Sequence, residues 1–192
     1  MPAAEKLLTM LCYTKKLLND GQECVFRSPV GIRDASSLLA LNDRLLSETG
    51  YLQPVSERVA DAGTEAAMLE LTADSADLLI LVAEKTDRFI GSACLMRGGN
   101  EKDAFGEIGV AVIKEEWGRG VGSHLLRILI RKAEATGYTR LHLAVEQDNI
   151  RAQRLYLKFG FAAINETSSS LQPVEMILDI RKAGQESILS RI

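Results

Sequence analysis

Three glycines at alternate positions mark the segment of this chain best suited to chemistry. They lie in the run Trp117 to Ser123, between an apolar strand-like run and a strongly patterned helix. Glycine lets the backbone turn sharply and approach a ligand without a Cβ in the way. The helix that follows presents unpaired N–H groups and the positive end of its dipole at the same point. We therefore expect main-chain amides to hold a pyrophosphate here, with a charge-assisted contact from Arg119.

Other phosphate-binding patterns fit this segment less well. A P-loop needs G-x-x-x-x-G-K followed by Ser or Thr, which the sequence does not contain. A dinucleotide fingerprint needs G-x-G-x-x-G directly after a strand, whereas here the spacing is G-x-G-x-G and four residues separate it from Ile113. Glu146 lies near the place of a ribose-binding acid, but too little chain follows for a doubly wound sheet. A plain glycine-rich loop is the remaining alternative.

A carboxylate, Glu107, lies inside the otherwise apolar run FGEIGV. A charged side chain is unusual in an apolar run, because burying a charge without a partner costs free energy. Two interpretations stay open: Glu107 is a general base, or strand alternation turns it towards solvent or an ion pair. Glu146, at the end of the next apolar run, is the second candidate base.

Composition and charge argue against several classes of protein. The 192 residues suit one domain, 46% of them are apolar and 26% charged, and the net charge is -3. A nucleic-acid-binding surface calls for a basic excess that this chain lacks. Cys12, Cys24 and Cys94 are too widely spaced for a disulfide framework, and His124 and His142 have no clustered partners at ligand spacing. We expect no metal, no nucleic-acid partner and a reducing compartment.

The N-terminal run MPAAEKLLTMLCYTKKLL contains an apolar stretch. It is too short and too often interrupted by Lys and Glu for a signal peptide or a membrane span. The sequence therefore predicts a cytoplasmic protein with no membrane partner.

Hydrophobic periodicity predicts an alternation of strands and helices. Asp20-Gly21 is typical of a hairpin turn near the N-terminus. Apolar residues at helical spacing predict a helix over 35–48, with Asp34 as its N-cap, and a weaker helix over 56–71 behind Pro54. The later predicted elements are strands at 78–84 and 88–96 joined by Lys85-Thr86-Asp87, a strand at 105–113, a helix at 124–137 ending at Gly137, a strand at 140–146, a helix at 148–160 capped by Asp148 or Asn149 and ending at Gly160, and strands at 161–166 and 173–180.

Antiparallel hairpins in this order flank a central strand-helix-strand unit. That unit should be parallel and right-handed, because parallel neighbours need a crossover connection. The pattern predicts an α/β chain built around this unit.

The glycine segment resembles motif A of the GNAT superfamily of acyltransferases, in which Arg or Gln followed by x-x-G-x and then Gly or Ala opens a helix. Trp117 stands where the family prefers Arg or Gln, and Gly120 and Gly122 stand on the glycine positions. The run Asn149 to Phe161 resembles the family signature N-x-x-(A/S)-x-x-(L/F)-Y-x-x-x-G-F. With the surrounding elements, the resemblance covers residues 30–180.

The resemblance implies a GNAT fold, that is, a mixed, mostly antiparallel sheet splayed at a central parallel strand pair, with helices on both faces. It divides the chain into an N-terminal segment with the hairpin (1–29), a GNAT acetyltransferase domain (30–180) and a tail (181–192). It implies acetyl-CoA as co-substrate, with the pantetheine arm beside Val110 and Val112. The implied pyrophosphate contacts are Trp117, Gly118, Arg119, Gly120, Val121, Gly122 and Ser123.

The resemblance also implies catalytic roles. Tyr156 matches the family's thiolate-facing tyrosine, the proton donor, although a core aromatic is the alternative interpretation. Asn149 is a helix cap, a pantetheine contact or both. Glu107 lies in a run similar to the F-x-E-I run of histone acetyltransferases, whose Glu is a base acting through water. Gly106 and Gly109 in the same strand are consistent with a bulge or a close backbone approach.

Together these features predict an N-acetyltransferase that moves an acetyl group to a primary amine of a small molecule or peptide. Tyr51, Leu52 and the loop 97–104 are expected to line the acceptor pocket, and the acidic balance favours a cationic acceptor. The alternative is a non-catalytic acyl-CoA-binding sensor or scaffold. The resemblance leaves a homodimer open.

Overall fold

The computed structural model describes residues 13–48, 50–51, 61–99, 105–164 and 172–180. Within these ranges strands and helices follow one another in the order that the sequence predicts. The elements are β1 (Tyr13–Leu17), β2 (Glu23–Arg27), α1 (Gly31–Glu48), α2 (Ala62–Ala73), β3 (Leu78–Lys85), β4 (Arg88–Gly98), β5 (Phe105–Val112), a 3-10 helix (Lys114–Glu116), α3 (Val121–Ala135), β6 (Arg140–Val145), α4 (Ile150–Lys158), β7 (Ala162–Ala163) and β8 (Val174–Asp179).

The strands form a sheet in the order β1-β2-β3-β4-β5-β6-β8-β7. β5 and β6 are parallel, with Phe105 opposite Arg140 and Glu107 opposite His142. The pairs β1-β2, β2-β3, β6-β8 and β7-β8 are antiparallel. The sheet is therefore mixed and mostly antiparallel, and α3 connects its parallel pair, so the predicted fold class is confirmed.

The chain divides into two compact units, and buried apolar side chains lie in both. The first unit comprises the residues before 95 together with 110–125, and the second comprises 95–109 with the residues from 126 onwards. The largest fully buried side chains of the first unit are Phe26, Leu45, Leu81, Val82, Ile90, Ile113 and Leu125, and those of the second are Leu126, Leu129, Ile130, Leu141 and Phe159.

The N-terminal hairpin that the sequence predicts is confirmed in the first unit. The Leu18 N–H donates to the Gln22 carbonyl at 2.8 Å, and the Gly21 N–H donates to the Leu18 carbonyl at 2.9 Å. Gly21 has φ +78°, the left-handed conformation that a three-residue hairpin loop requires of its last member. β2 continues into the sheet, with Val25 opposite Glu84 of β3.

Helix α1 begins at Gly31, four residues before the predicted start. The sequence predicts Asp34 as its N-cap, which is wrong. Asp34 lies in the first turn instead, where its carboxylate accepts the backbone N–H of Val30 at 2.7 Å. The signal misleads because acids are favoured both at the N-cap and in the first turn, where the carboxylate accepts the N–H of the residue before the helix.

Helix α2 begins at Ala62, which corrects the predicted start at residue 56. Asp61 is its N-cap, and the Asp61 carboxylate accepts the backbone N–H of Gly63 at 2.8 Å and of Thr64 at 2.9 Å. Pro54, placed before the predicted start, lies outside the described residues.

Strands β3 and β4 are joined by a two-residue turn, Thr86-Asp87, with φ angles of 52° and 59°. Two left-handed residues match the twist of the flanking strands in such a turn. Lys85, which the sequence assigns to the connection, belongs to β3.

In the second unit the predicted stops and caps are confirmed. Gly137 has φ +83° after α3, and Gly160 has φ +87° after α4. Asn149, and not Asp148, caps α4. β7 and β8 form the predicted closing hairpin, with Ala162 opposite Ile177.

A buried ion cluster fixes the start of α1 in the first unit. The Arg27 guanidinium donates to Asp34 at 2.5 and 3.0 Å and to Glu84 at 2.6 Å. Burial raises the pKa of Asp34, but hydrogen bonds from Arg27, Arg33 and the Val30 N–H outweigh burial and hold that pKa well below its ordinary value. Asp34 is therefore charged in the folded state and joins α1 to β2.

Asp34→Asn is expected to lower the free energy of unfolding at neutral pH by about 3 kcal/mol, since Arg27 loses a buried partner. The folded-state pKa lies below the unfolded value of about 4, so the stabilisation is complete above about pH 5 and is lost as pH falls through the folded pKa. Denaturant unfolding at stepped pH should show the difference between wild type and variant shrinking in acid. The exposed Asp43→Asn on the same helix is the control. A constant difference down to about pH 3 would contradict this account.

Candidate active site

The glycine loop of the first unit has the backbone that an anion cradle needs. After the 3-10 helix the chain turns over residues 117–120 and enters α3 at Val121. Gly118 has φ +78° and Gly120 has φ +93°. A Cβ at Gly118 would meet nothing within 4 Å, and the nearest atom to a Cβ at Gly120 is Asn19 Oδ1 at 3.5 Å. The glycines are therefore required by conformation.

Free backbone N–H groups follow directly at the start of α3. The His124 N–H donates to the Gly120 carbonyl at 3.0 Å, which is the first turn of helical bonding. The N–H groups of Val121, Gly122 and Ser123 precede that bond and have no acceptor within the helix. A run of such donors at the positive end of a helix suits a pyrophosphate.

Trp117 closes this loop onto the end of β5. Its indole Nε1 donates to the Val112 carbonyl at 2.6 Å, and the side chain is half-buried. Trp117, which stands where the family prefers Arg or Gln, therefore stabilises the loop through this hydrogen bond. The same carbonyl is one of the groups that the resemblance assigns to pantetheine, and a carbonyl oxygen has a second lone pair.

Arg119 is paired with charged side chains for which the sequence predicts no role in the site. Arg119 donates to Asp20 at 2.5 Å, and its Nε is 3.6 Å from Glu116. Lys85 is buried between the same two carboxylates, 3.8 Å from Asp20 and in an ion pair with Glu116. The Gln22 N–H, with Arg119 and Lys85, holds the pKa of Asp20 below its ordinary value despite desolvation. Arg119 is thus partly neutralised by carboxylates.

A second network fixes the segment that leads into the loop. The Glu48 carboxylate, at the end of α1, accepts the backbone N–H of Lys114 at 2.6 Å. Glu115 pairs with Arg44 at 3.0 Å and also with Arg88. The 3-10 helix is therefore tied to both α1 and β4.

The second unit carries Glu107 on β5. The carboxylate is exposed, between buried Gly106 and buried Ile108, so strand alternation turns it outwards. His142 is its neighbour in the parallel register, and the His142 ring lies 4.7 Å from the ring of Phe105.

Gly106 leaves room for side chains of the neighbouring strands, while the bulge or close backbone approach stays a prediction. A Cβ at Gly106 would lie 2.5 Å from Leu95 Cδ1 and 2.8 Å from Leu141 Cδ2. These close contacts are therefore made by side chains of the neighbouring strands. Gly109 and Val110 are half-buried.

Helix α4 positions Asn149 and Tyr156. The Asn149 side chain accepts the Ala152 N–H at 3.2 Å, so it caps the helix. Tyr156 is buried, with its ring edge-on to Phe161 at 5.7 Å. Glu146, the second candidate base, is half-buried, and its carbonyl accepts the Asn149 N–H at 3.0 Å.

Part of the expected acceptor pocket falls outside the described residues. Leu52, Cys12 and most of the loop 97–104 are outside the described residues, whereas Tyr51 is half-buried.

Burial raises the pKa of the Cys24 thiol to about 12, which makes it unreactive. Within the described ranges no cluster of three His, Cys, Asp or Glu side chains suits a metal ion. None of the helices described has the length and apolarity to cross a membrane.

Asn149→Ala is expected to lower the free energy of unfolding by about 1 kcal/mol through loss of the cap. Asn149→Asp keeps an acceptor of equal reach and should restore stability. Denaturant unfolding of both variants measures this. Equal destabilisation by Ala and Asp would show that capping is not what this side chain contributes.

Comparison with known proteins gives an independent view of the chain. The model of the acetyltransferase (GNAT) family matches residues 46–161, which is more than half of the chain. The mycothiol acetyltransferase of Jonesia denitrificans is 33% identical over 145 residues, which make up 74% of this chain and 44% of that protein. The chain thus spans less than half the length of this curated relative.

Solved structures share the fold. The acetyltransferase of the GNAT family from Streptococcus pneumoniae has a TM-score of 0.71 at 23% identity, over 81% of this chain and 99% of that one. The structure of yncA from Salmonella typhimurium with its cofactor acetyl-CoA has a TM-score of 0.65 at 20% identity, over 82% and 94% of the two chains. The family match, the shared fold and the left-handed glycine loop before α3 agree, and the chain belongs to the GNAT acetyltransferase family.

Proposed function

We propose that this chain is an acetyl-CoA-dependent N-acetyltransferase that acts on a primary amine of a small molecule or peptide. The observation that carries the proposal is the pair Gly118 and Gly120, both left-handed, which leads into the unpaired N–H groups of α3. A main-chain cradle of this kind suits the pyrophosphate of coenzyme A. The name of the Jonesia relative supports acetyl transfer, but its acceptor is not carried over, since the chain spans only 44% of that protein.

The cofactor contacts form two groups in this proposal. The loop 117–123 holds the pyrophosphate by backbone amides, with little help from Arg119 because Asp20 and Glu116 already engage it. The main chain at Val110 and Val112, with Asn149, takes the pantetheine arm. Acetyl-CoA supplies the thioester when it is bound.

Acetyl transfer forms a C–N bond, breaks the C–S bond and moves one proton from the amine to the departing thiolate. Exposed Glu107 is suited to accept the amine proton, directly or through water, because its carboxylate faces outwards from β5. Tyr156 is suited to protonate the thiolate, since its buried ring is held in place by Phe161. Glu146 is the alternative base.

The acceptor is proposed to be cationic, in keeping with the net charge of -3. Tyr51, Leu52 and the loop 97–104 are proposed to surround it. A panel of polyamine, aminoglycoside, lysine and peptide N-terminus, assayed for free thiol release from acetyl-CoA, tests this choice. We also propose a cytoplasmic location, consistent with the buried free thiol of Cys24. The homodimer stays a prediction.

Acetyl-CoA at about a hundred times its Kd should stabilise the wild type by about 2.7 kcal/mol and raise its Tm. Gly120→Asp should abolish this rise, because a side chain at φ +93° strains the loop, its Cβ lies 3.5 Å from Asn19 Oδ1, and the added carboxylate repels the pyrophosphate. Gly137→Asp is the matched control: φ is +83° there, at the other end of α3. It should lower the Tm yet keep the rise with acetyl-CoA. Undiminished binding by Gly120→Asp, or an equal response to NAD, would refute the site.

Tyr156→Phe should lower kcat about 100-fold while the KM for acetyl-CoA stays near normal, since the ring still packs but the proton donor is gone. Steady-state kinetics with the best amine of the panel measure this. A wild-type kcat would exclude Tyr156 as the acid.

Glu107→Gln should lower the rate most at low pH, because the loss shrinks as more of the amine is already deprotonated. The exposed Glu134→Gln on α3 is the control and should keep the wild-type pH profile. If Glu107→Gln also keeps it, the base is Glu146 or water.

A further inference from the structure

The tip of the β1-β2 hairpin is bonded to the glycine loop at three points. The Asn19 backbone N–H donates to the Arg119 carbonyl at 3.1 Å, and the Asn19 side-chain amide donates to the Gly118 carbonyl at 3.0 Å. Arg119 donates from its guanidinium to Asp20 at 2.5 Å. Two successive carbonyls of the loop are therefore engaged by one residue of the hairpin.

These bonds fix the direction of the loop's amides. The peptide bonds of the described residues are trans, and in a trans peptide the C=O and N–H point in opposite directions. The Gly118 carbonyl shares its peptide plane with the Arg119 N–H, and the Arg119 carbonyl shares its plane with the Gly120 N–H. Since both carbonyls face Asn19, both N–H groups face away from the hairpin.

The hairpin tip is rigid enough for this role. Its loop is closed by Leu18 and Gln22 and turned by left-handed Gly21. The Asp20 carboxylate divides its oxygens, with Oδ1 accepting the Gln22 N–H at 3.1 Å and Oδ2 accepting from Arg119. The tip is therefore stabilised by hydrogen bonds of its own, and it contacts the glycine loop through Asn19 and through Oδ2 of Asp20.

We infer that Asn19 and Asp20 are positioning residues that preset the glycine loop for a pyrophosphate; this inference rests on the proposed function. Gly118 and Gly120 leave the loop backbone many conformations, and each must be given up when a ligand binds. Holding the carbonyls in advance lowers that cost and so tightens binding. The family match begins at residue 46, so the hairpin tip lies outside the matched part of the chain.

A merely structural contact would affect every ligand and the stability alike, whereas a positioning role acts on the pyrophosphate. Acetyl-pantetheine carries the same thioester as acetyl-CoA without the pyrophosphate, so it separates the two cases. Asn19→Ala removes the side-chain donor but keeps the backbone N–H. Asn19→Asp keeps the size but leaves only an acceptor facing the Gly118 carbonyl. Lys15→Ala is the control, since it breaks only the exposed ion pair with Glu23 in the same hairpin.

The measurements are the Kd for CoA by calorimetry, and kcat and KM with acetyl-CoA and with acetyl-pantetheine. Both Asn19 variants should raise the Kd for CoA and the KM for acetyl-CoA about three- to tenfold, the effect of one hydrogen bond. The kcat at saturation and kcat/KM for acetyl-pantetheine should stay unchanged, and Lys15→Ala should match the wild type. An unchanged Kd, or an equal loss with both thioesters, would overturn the inference.

Amide hydrogen exchange of the free protein gives a readout that does not depend on the ligand. The amides of residues 118–120 should exchange faster in both Asn19 variants than in the wild type and Lys15→Ala. If the wild type binds no CoA, the proposed function fails, and the exchange rates alone decide whether Asn19 positions the loop. Unchanged exchange at 118–120 in both variants would overturn the inference. Should Asn19→Ala unfold, Asn19→Asp, of equal size, provides the same comparison.

Discussion

The parallel pairing of β5 with β6 is the constraint on which the rest of this structure depends. Two parallel neighbours cannot be joined by a tight turn, so the chain must cross over between them. Here the crossover is the 3-10 helix, the glycine loop and α3, and it begins where β5 ends. Every α-helix leaves its first N–H groups without acceptors, and the crossover places those of α3 directly after the glycine loop. The anion-binding capacity of the loop therefore follows from the topology.

Buried charge holds that crossover in shape. Lys85 and Glu116 are both almost fully buried, and each would be costly to bury without the other. Their pairing, extended by Arg119 and Asp20, lies on the hairpin side of the loop, while Glu48 and Glu115 hold the segment before it. Such clusters add little net stability, but they admit few alternative arrangements because every member needs its partners. The loop is therefore held by paired charges as well as by hydrogen bonds.

Much of the fold could be predicted from short-range signals. Gly21, Gly137, Gly160 and Asn149 each act within a few residues of their position, so the sequence around them carries the whole signal. The ion clusters could not be predicted, because Arg119 and Asp20 are 99 residues apart along the chain. The start of α2 shows a missed local signal: Asp61 is a preferred N-cap residue, and the predicted helix ran through it. For the candidate site, the sequence predicts the glycine loop but not the contacts of Asn19, Lys85 and Glu116 that hold it.

The two outer strands of the described sheet differ in a way that bears on aggregation. A free strand edge offers unpaired backbone groups to any other chain that can add a strand. β1 lies at one edge, fully exposed, and carries Lys15 and Lys16, whereas β7 at the other edge has only two residues. The lysines of β1 and the short length of β7 both hinder the pairing of these edges with strands of other chains. The sheet therefore ends on each side in a strand that is a poor template for fibre formation.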